Sequence, residues 1–97
     1  MGWEFIGSES GIELLKLHHF VALKKQGETE IEFVITVREH AVDSGAGPLR
    51  FFAQSDKQTN QSTGPYTPTG WGPSLEAALA ACIKEINRFP YESGATG

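Results

Sequence analysis

The sequence predicts an α+β domain of two layers, a three- to four-stranded antiparallel sheet with a C-terminal helix packed on one face. Three observations carry that expectation. "IEFVITVREH" (31–40) alternates apolar and polar residues at the period of a strand. "LHHFVALKK" (17–25), just upstream, has the composition of its hairpin partner. "GPSLEAALAACIKEINRFP" (72–90) repeats apolar residues at helical spacing.

Taken in order along the chain, "WEFI" (3–6) reads as a short edge strand. Residues 9–17 fit neither period cleanly. They either open a short N-terminal helix at Ser8 or Ser10 or lengthen the first strand. In the hairpin, Leu17, Val21 and Leu23 share one side of the first arm, and Ile31, Phe33, Ile35 and Val37 share one side of the second. If both sets join one core, the register has a fixed parity, because a slip of one residue turns a whole set outward. A three-residue loop, Gly27-Glu28-Thr29, has that parity and sets Lys24 opposite Glu32. A five-residue loop from Lys25 to Thr29 has it too.

"LRFFAQS" (49–55) follows a Gly/Pro-rich turn and reads as a third strand. Leu49, Phe51 and Ala53 lie on one side; Arg50, Phe52 and Gln54 lie on the other. "SDKQTNQSTGPYTPTGWGP" (55–73) is polar and rich in turn formers, and reads as a long loop. In the helix that follows, Leu75, Ala78, Leu79, Cys82, Ile86 and Phe89 form one stripe. Ser74 is placed to cap its start, and Pro90 ends it near Phe89. Ala77, Ala80 and Ala81 fall on the outward side, where they favour helix and would also let another element approach closely. One domain spans residues 1–92, with a disordered tail at 93–97.

One helix covers one face of such a sheet. The expected open face carries His18, Phe20, Ala22, Lys24, Glu32, Val34, Thr36, Arg38, His40, Arg50, Phe52 and Gln54. Tyr66 and Trp71, in the loop and at the helix start, are placed to lie over Phe20 and Phe52. Three readings of this face compete: a solvated face, an interface with a second copy or another protein, and a platform for single-stranded nucleic acid. An exposed cluster of Phe20, Val34 and Phe52 is the kind of patch that association buries. Aromatic rings on a sheet stack bases while Lys24, Arg38 and Arg50 neutralise phosphates.

Bulk composition narrows these. The 97 residues hold 12 acids and 8 bases, a net charge of −4. Residues 1–45 carry eight of the acids and four of the bases. An acidic balance counts against a general nucleic-acid binder. At 39% hydrophobic and 21% charged, the chain is globular. The single cysteine, Cys82, permits no intramolecular disulfide and suits a reducing cytoplasm. No apolar run is long enough to span a membrane, and no signal peptide is visible.

Little of the sequence points to chemistry. His18 and His19 are adjacent and face opposite ways on a strand. A further reading, an enzyme or metal site around His18, Arg38 and His40 with Asp43 or Glu39 nearby, rests on a weak signal, two histidines and an unplaced carboxylate, and Arg38 disfavours a cation there. Cys82 lies on the apolar stripe as a core thiol. No pair of carboxylates is placed as acid and base, and no phosphate-binding glycine motif is present. No cofactor or metal is assigned. "GWGPSLEAALAACIKEI" resembles the helix-opening segment of HicB-like antitoxins at Gly72, Ser74, Glu76, Ala78, Glu85 and Ile86, and the element order is similar. The proline- and glycine-bearing strand signature of that family is absent. Double-stranded-RNA-binding domains share the element order, but their basic helix start is missing, so no family is assigned. The expectation is a small non-catalytic cytoplasmic interaction or regulatory domain that self-associates through the open face, with a single-stranded nucleic-acid-binding module as the alternative.

Overall fold

The computed structural model describes residues 3, 11, 14–40 and 49–92. Four antiparallel strands and one helix follow in order: β1 (Lys16–Gln26), β2 (Thr29–Glu39), β3 (Phe51–Ser55), β4 (Thr69–Gly72) and α1 (Leu75–Ile86). The sheet is a plain meander, β1-β2-β3-β4, with each strand paired to its neighbour in sequence. The α+β class and the C-terminal helix are as the sequence predicts. The edge strand expected at 3–6 lies outside the described residues apart from Trp3, as does the tail at 93–97. Of the segment 9–17, read as helix or strand, Gly11 has φ +79, Leu14 and Leu15 belong to no element, and Lys16 and Leu17 open β1.

The hairpin differs from expectation in a way that reassigns a whole strand. Gln26 pairs with Thr29, so the loop has only two residues, Gly27 and Glu28. Gly27 has φ +65 and Glu28 does not share the positive value. Glycine at the first central position is the mark of a type II′ turn, whose twist matches that of the strands it joins. The two-residue loop reverses the parity. Ile31, Phe33, Ile35 and Val37 now stand opposite Lys24, Ala22, Phe20 and His18. Leu17, Val21 and Leu23 stand opposite Arg38, Val34 and Glu32, on the side away from the helix.

The core forms between β2–β4 and the helix. Phe33, Ile35, Val37, Ala53, Ala78 and Cys82 are fully buried, with Ile31, Phe51 and Ile86 nearly so. Phe20 and Ala22 of β1 pack at its margin. Lys24 also lies on this side. Its ammonium donates to the carbonyl oxygens of Ile86 and Phe89, both at 2.9 Å, where the end of a helix leaves carbonyls without partners. A lysine is tolerated on the core side because its stem packs while its head caps the helix.

Residues 69–72, expected as loop, form β4. Its glycines explain both the missed strand and the alanines of the helix. Gly70 and Gly72 point the same way, toward α1, and α1 sits so close that a Cβ on either would overlap backbone atoms of the helix. Ala77 and Ala81 line this contact, so they meet the chain's own β4 and only Ala80 remains outward. The Ser74 hydroxyl accepts from the N–H of Ala77 at 3.1 Å, a cap worth about 1 kcal/mol. The helix ends at Ile86, with Asn87 as its C-cap, one turn before Pro90.

The segment between β3 and β4 is ordered on the helix side. Thr59 and Tyr66 form an isolated bridge, and Thr59 and Pro68 are fully buried. Tyr66 packs edge-on against Phe89 and donates its hydroxyl to the Glu85 carboxylate. That hydrogen bond holds the Tyr66 phenol above its ordinary range and Glu85 below its own. Among the described residues, no helix is long and apolar enough to cross a membrane.

Candidate interaction surface

The open face is built from alternate residues of all four strands. β1 contributes Leu17, His19, Val21, Leu23 and Lys25. β2 contributes Glu30, Glu32, Val34, Thr36 and Arg38, while β3 and β4 contribute Phe52, Gln54, Thr69 and Trp71. Four large apolar side chains stand half exposed or more on it: Leu17 at 51%, Val21 at 58%, Leu23 at 57% and Trp71 at 52%. Trp71 rests against Phe52 on the adjacent strand, ring centroids 4.5 Å apart, and His40 stacks on Trp71 at 6.3 Å. At the other end of β2, Glu30 and Glu32 face outward.

The residues expected on this face divide. Val34, Arg38, His40 and Phe52 are there, and Trp71 joins them as a strand residue. His18 and Phe20 are not, because the two-residue turn rotates β1. Phe20 packs on the core margin opposite Ile35. His18 Nε2 lies 2.8 Å from Glu39 Oε1. Arg50 is drawn to the same carboxylate, with a terminal guanidinium nitrogen 3.2 Å from Glu39 Oε2, its Nε donating to the carbonyl of His40, and its plane over the Phe51 ring. His18 and Arg50 therefore share Glu39 on the helix side, while His40 stacks on Trp71 across the sheet. Tyr66, expected over Phe20, is at the helix C-terminal end instead. Leu17, Val21, Leu23 and His19 were expected on the other side; the signal for their true placement is Gly27 at the first position after Gln26.

No group of three His, Cys, Asp or Glu side chains converges among the described residues. The depression on the open face, lined by Val34, Thr36, Arg38, Gln54, Ser55 and Asp56, holds about 180 Å³, below the usual range for a small-molecule site. A second, more polar hollow of about 450 Å³ lies beside the β3–β4 segment, and its two charged groups, Asp56 and Lys57, pair with each other at 3.4 Å.

Cys82 is sealed in the core, where burial, and then the nearby Glu85 charge, push its thiol from 9.0 to about 11. The sign is definite. The folded state favours the neutral thiol, so this contribution to stability is complete below pH 9.0 and is lost as pH rises toward about 11. In the native protein Cys82 is expected to react with a thiol reagent only as fast as the domain unfolds, and at once in denaturant. In Cys82→Ala, urea titrations above about pH 9 are expected to show a shallower loss of stability than the wild type.

No family profile matches the chain, nor does any curated protein or solved structure.

Proposed function

We propose that this chain is a non-catalytic interaction module that works by burying its open sheet face against a second protein surface, in the first place another copy of itself. The observation that carries this reading is the gathering of Leu17, Val21, Leu23 and Trp71, each half exposed or more, on one face with Val34 and Phe52, in two groups on either side of the polar row His19, Thr36, Gln54 and Thr69. Scattered exposed apolar residues need no explanation, but four such side chains turned to one side of a sheet suit the core of an interface. The buried, unpaired Cys82 thiol suits a reducing compartment such as the cytoplasm. Sedimentation equilibrium is expected to give about twice the 10.6 kDa chain mass, and Leu23→Asp, at a site exposed in the single chain, to return the mass to that of one chain without loss of helix signal. A wild type that stays at the mass of one chain up to high concentration would refute self-association.

The row formed by Trp71, Phe52 and His40 beside Arg38 favours a second reading, a platform for single-stranded nucleic acid. The charges weigh against it. Lys24 is committed to the helix end and Arg50 to Glu39, while Glu30, Glu32 and Asp56 lie on or beside the face. Binding of a single-stranded oligonucleotide that falls steeply with salt and with Arg38→Ala would establish it; a flat titration at low salt would remove it.

A further inference from the structure

From the order of residues on the open face we infer that two copies stack face to face about a two-fold axis running across the strands, level with Ile35, so that Glu32 of each copy meets Arg38 of the other. This deepens the reading of the face as a self-association surface and rests on it. Two cross-strand pairs define the geometry. Leu17 stands beside Arg38, and Leu23 stands beside Glu32, six residues further along each strand. At about 3.4 Å per residue these pairs are about 20 Å apart.

A two-fold axis across the strands exchanges the two pairs. Leu17 of one copy falls on Leu23 of its partner, and Arg38 falls on Glu32. At these positions apolar meets apolar and cation meets anion from a single operation, as an isologous interface requires, while between them His19 falls on Val21 and Thr36 on Val34. Neither Glu32 nor Arg38 forms an ion pair among the described residues, so both charges are available on the surface. An axis parallel to the strands lays Leu17 on Trp71 and Arg38 on Phe52 but sets neither charge against its opposite, whereas the axis across the strands pairs both charges and leaves Phe52 and Trp71 at the rim. The overlap is confined to β1 and β2, because β3 ends at Ser55, level with Ile35. With strands about 4.8 Å apart it covers on the order of 300 Å² of each copy, so two copies bury on the order of 600 Å², the size of a weak, reversible dimer.

Charge exchange tests the arrangement. Sedimentation and native mass spectrometry of the full chain are expected to show that Arg38→Glu and Glu32→Lys each weaken the homodimer about tenfold or more, because each places two like-charged pairs in the interface. An equimolar mixture of the two variants, one carrying a heavy isotope label, restores every pair to opposite sign. It is expected to form the mixed dimer well above the half share that random assortment gives. If Arg38→Glu weakens the dimer but Glu32→Lys does not, or if the mixture assorts at random, the axis across the strands is wrong while the face remains the interface. If the wild type does not dimerise at all, the reading of the face falls with it.

Discussion

Gly70→Ala is expected to cost about 3 kcal/mol, the upper end of the range for overpacking a core, and Gly70→Val more than that. A Cβ at Gly70 would lie 2.6 Å from the backbone nitrogen of Cys82, 2.7 Å from the carbonyl oxygen of Ala78 and 2.7 Å from the Ala81 methyl. Two of those three atoms belong to the helix backbone. No rotamer change relieves the overlap, and the helix has to lift off the strand. Lifting it opens gaps against Phe51, Ala53 and Val37 together. Gly64→Ala supplies the control, since its nearest neighbour would be the Asn60 side-chain nitrogen at 3.8 Å. Urea unfolding followed by helix signal should separate the two variants cleanly: a large fall in midpoint for Gly70→Ala and almost none for Gly64→Ala. Similar midpoints for both would show that α1 does not rest on β4 as described.

Phe33→Ala is expected to cost about 3–5 kcal/mol, the usual range for removing a buried aromatic ring. Against the roughly 5–15 kcal/mol of a small domain, that is a large share of the whole. Phe33 is fully buried at the middle of β2, opposite Ala22, and its ring meets Tyr91 edge to face at 6.0 Å. Ala22, opposite it, is too small to fill the gap. Tyr91 is in turn held by Gln26, whose amide donates to its carbonyl oxygen at 2.7 Å and accepts from its N–H at 2.8 Å. Losing Phe33 therefore also loosens the chain beyond the helix. Guanidinium titration should show the shift, with Phe33→Leu recovering most of it.

The helix and the two hairpin arms were legible because their periods are long and undisturbed. Ile31, Phe33, Ile35 and Val37 can only be one face of a strand, and Ala78, Cys82 and Ile86 one face of a helix. The facing of β1 was not legible from hydrophobic content. Leu17, Val21 and Leu23 outweigh Phe20 and Ala22 as a set, so a count of apolar residues turns the strand the wrong way. The turn decides against the count: glycine directly after Gln26 fits a two-residue II′ loop, and one residue of loop length sets the parity of all eleven positions. The strand at 69–72 was hidden by its own composition. Its Gly-Trp-Gly run has poor strand propensity, and only the close approach of α1 makes glycine the residue that fits. Of the surface residues, Arg38, Val34 and Phe52 were legible from β2 and β3, whereas the β1 contribution followed its misread register.

A ribosome delivers the four strands in the order in which they pair, so β1 and β2 can zip together while the rest of the chain is still being made. The lid for their oily side arrives last, because α1 follows β4 and the bonds from Lys24 and Gln26 reach 62 to 65 residues downstream. Until then the nascent hairpin presents Ile31, Phe33, Ile35 and Val37 to its surroundings. Slowing translation between residues 40 and 75 should lengthen that window and raise the aggregated fraction of newly made chains.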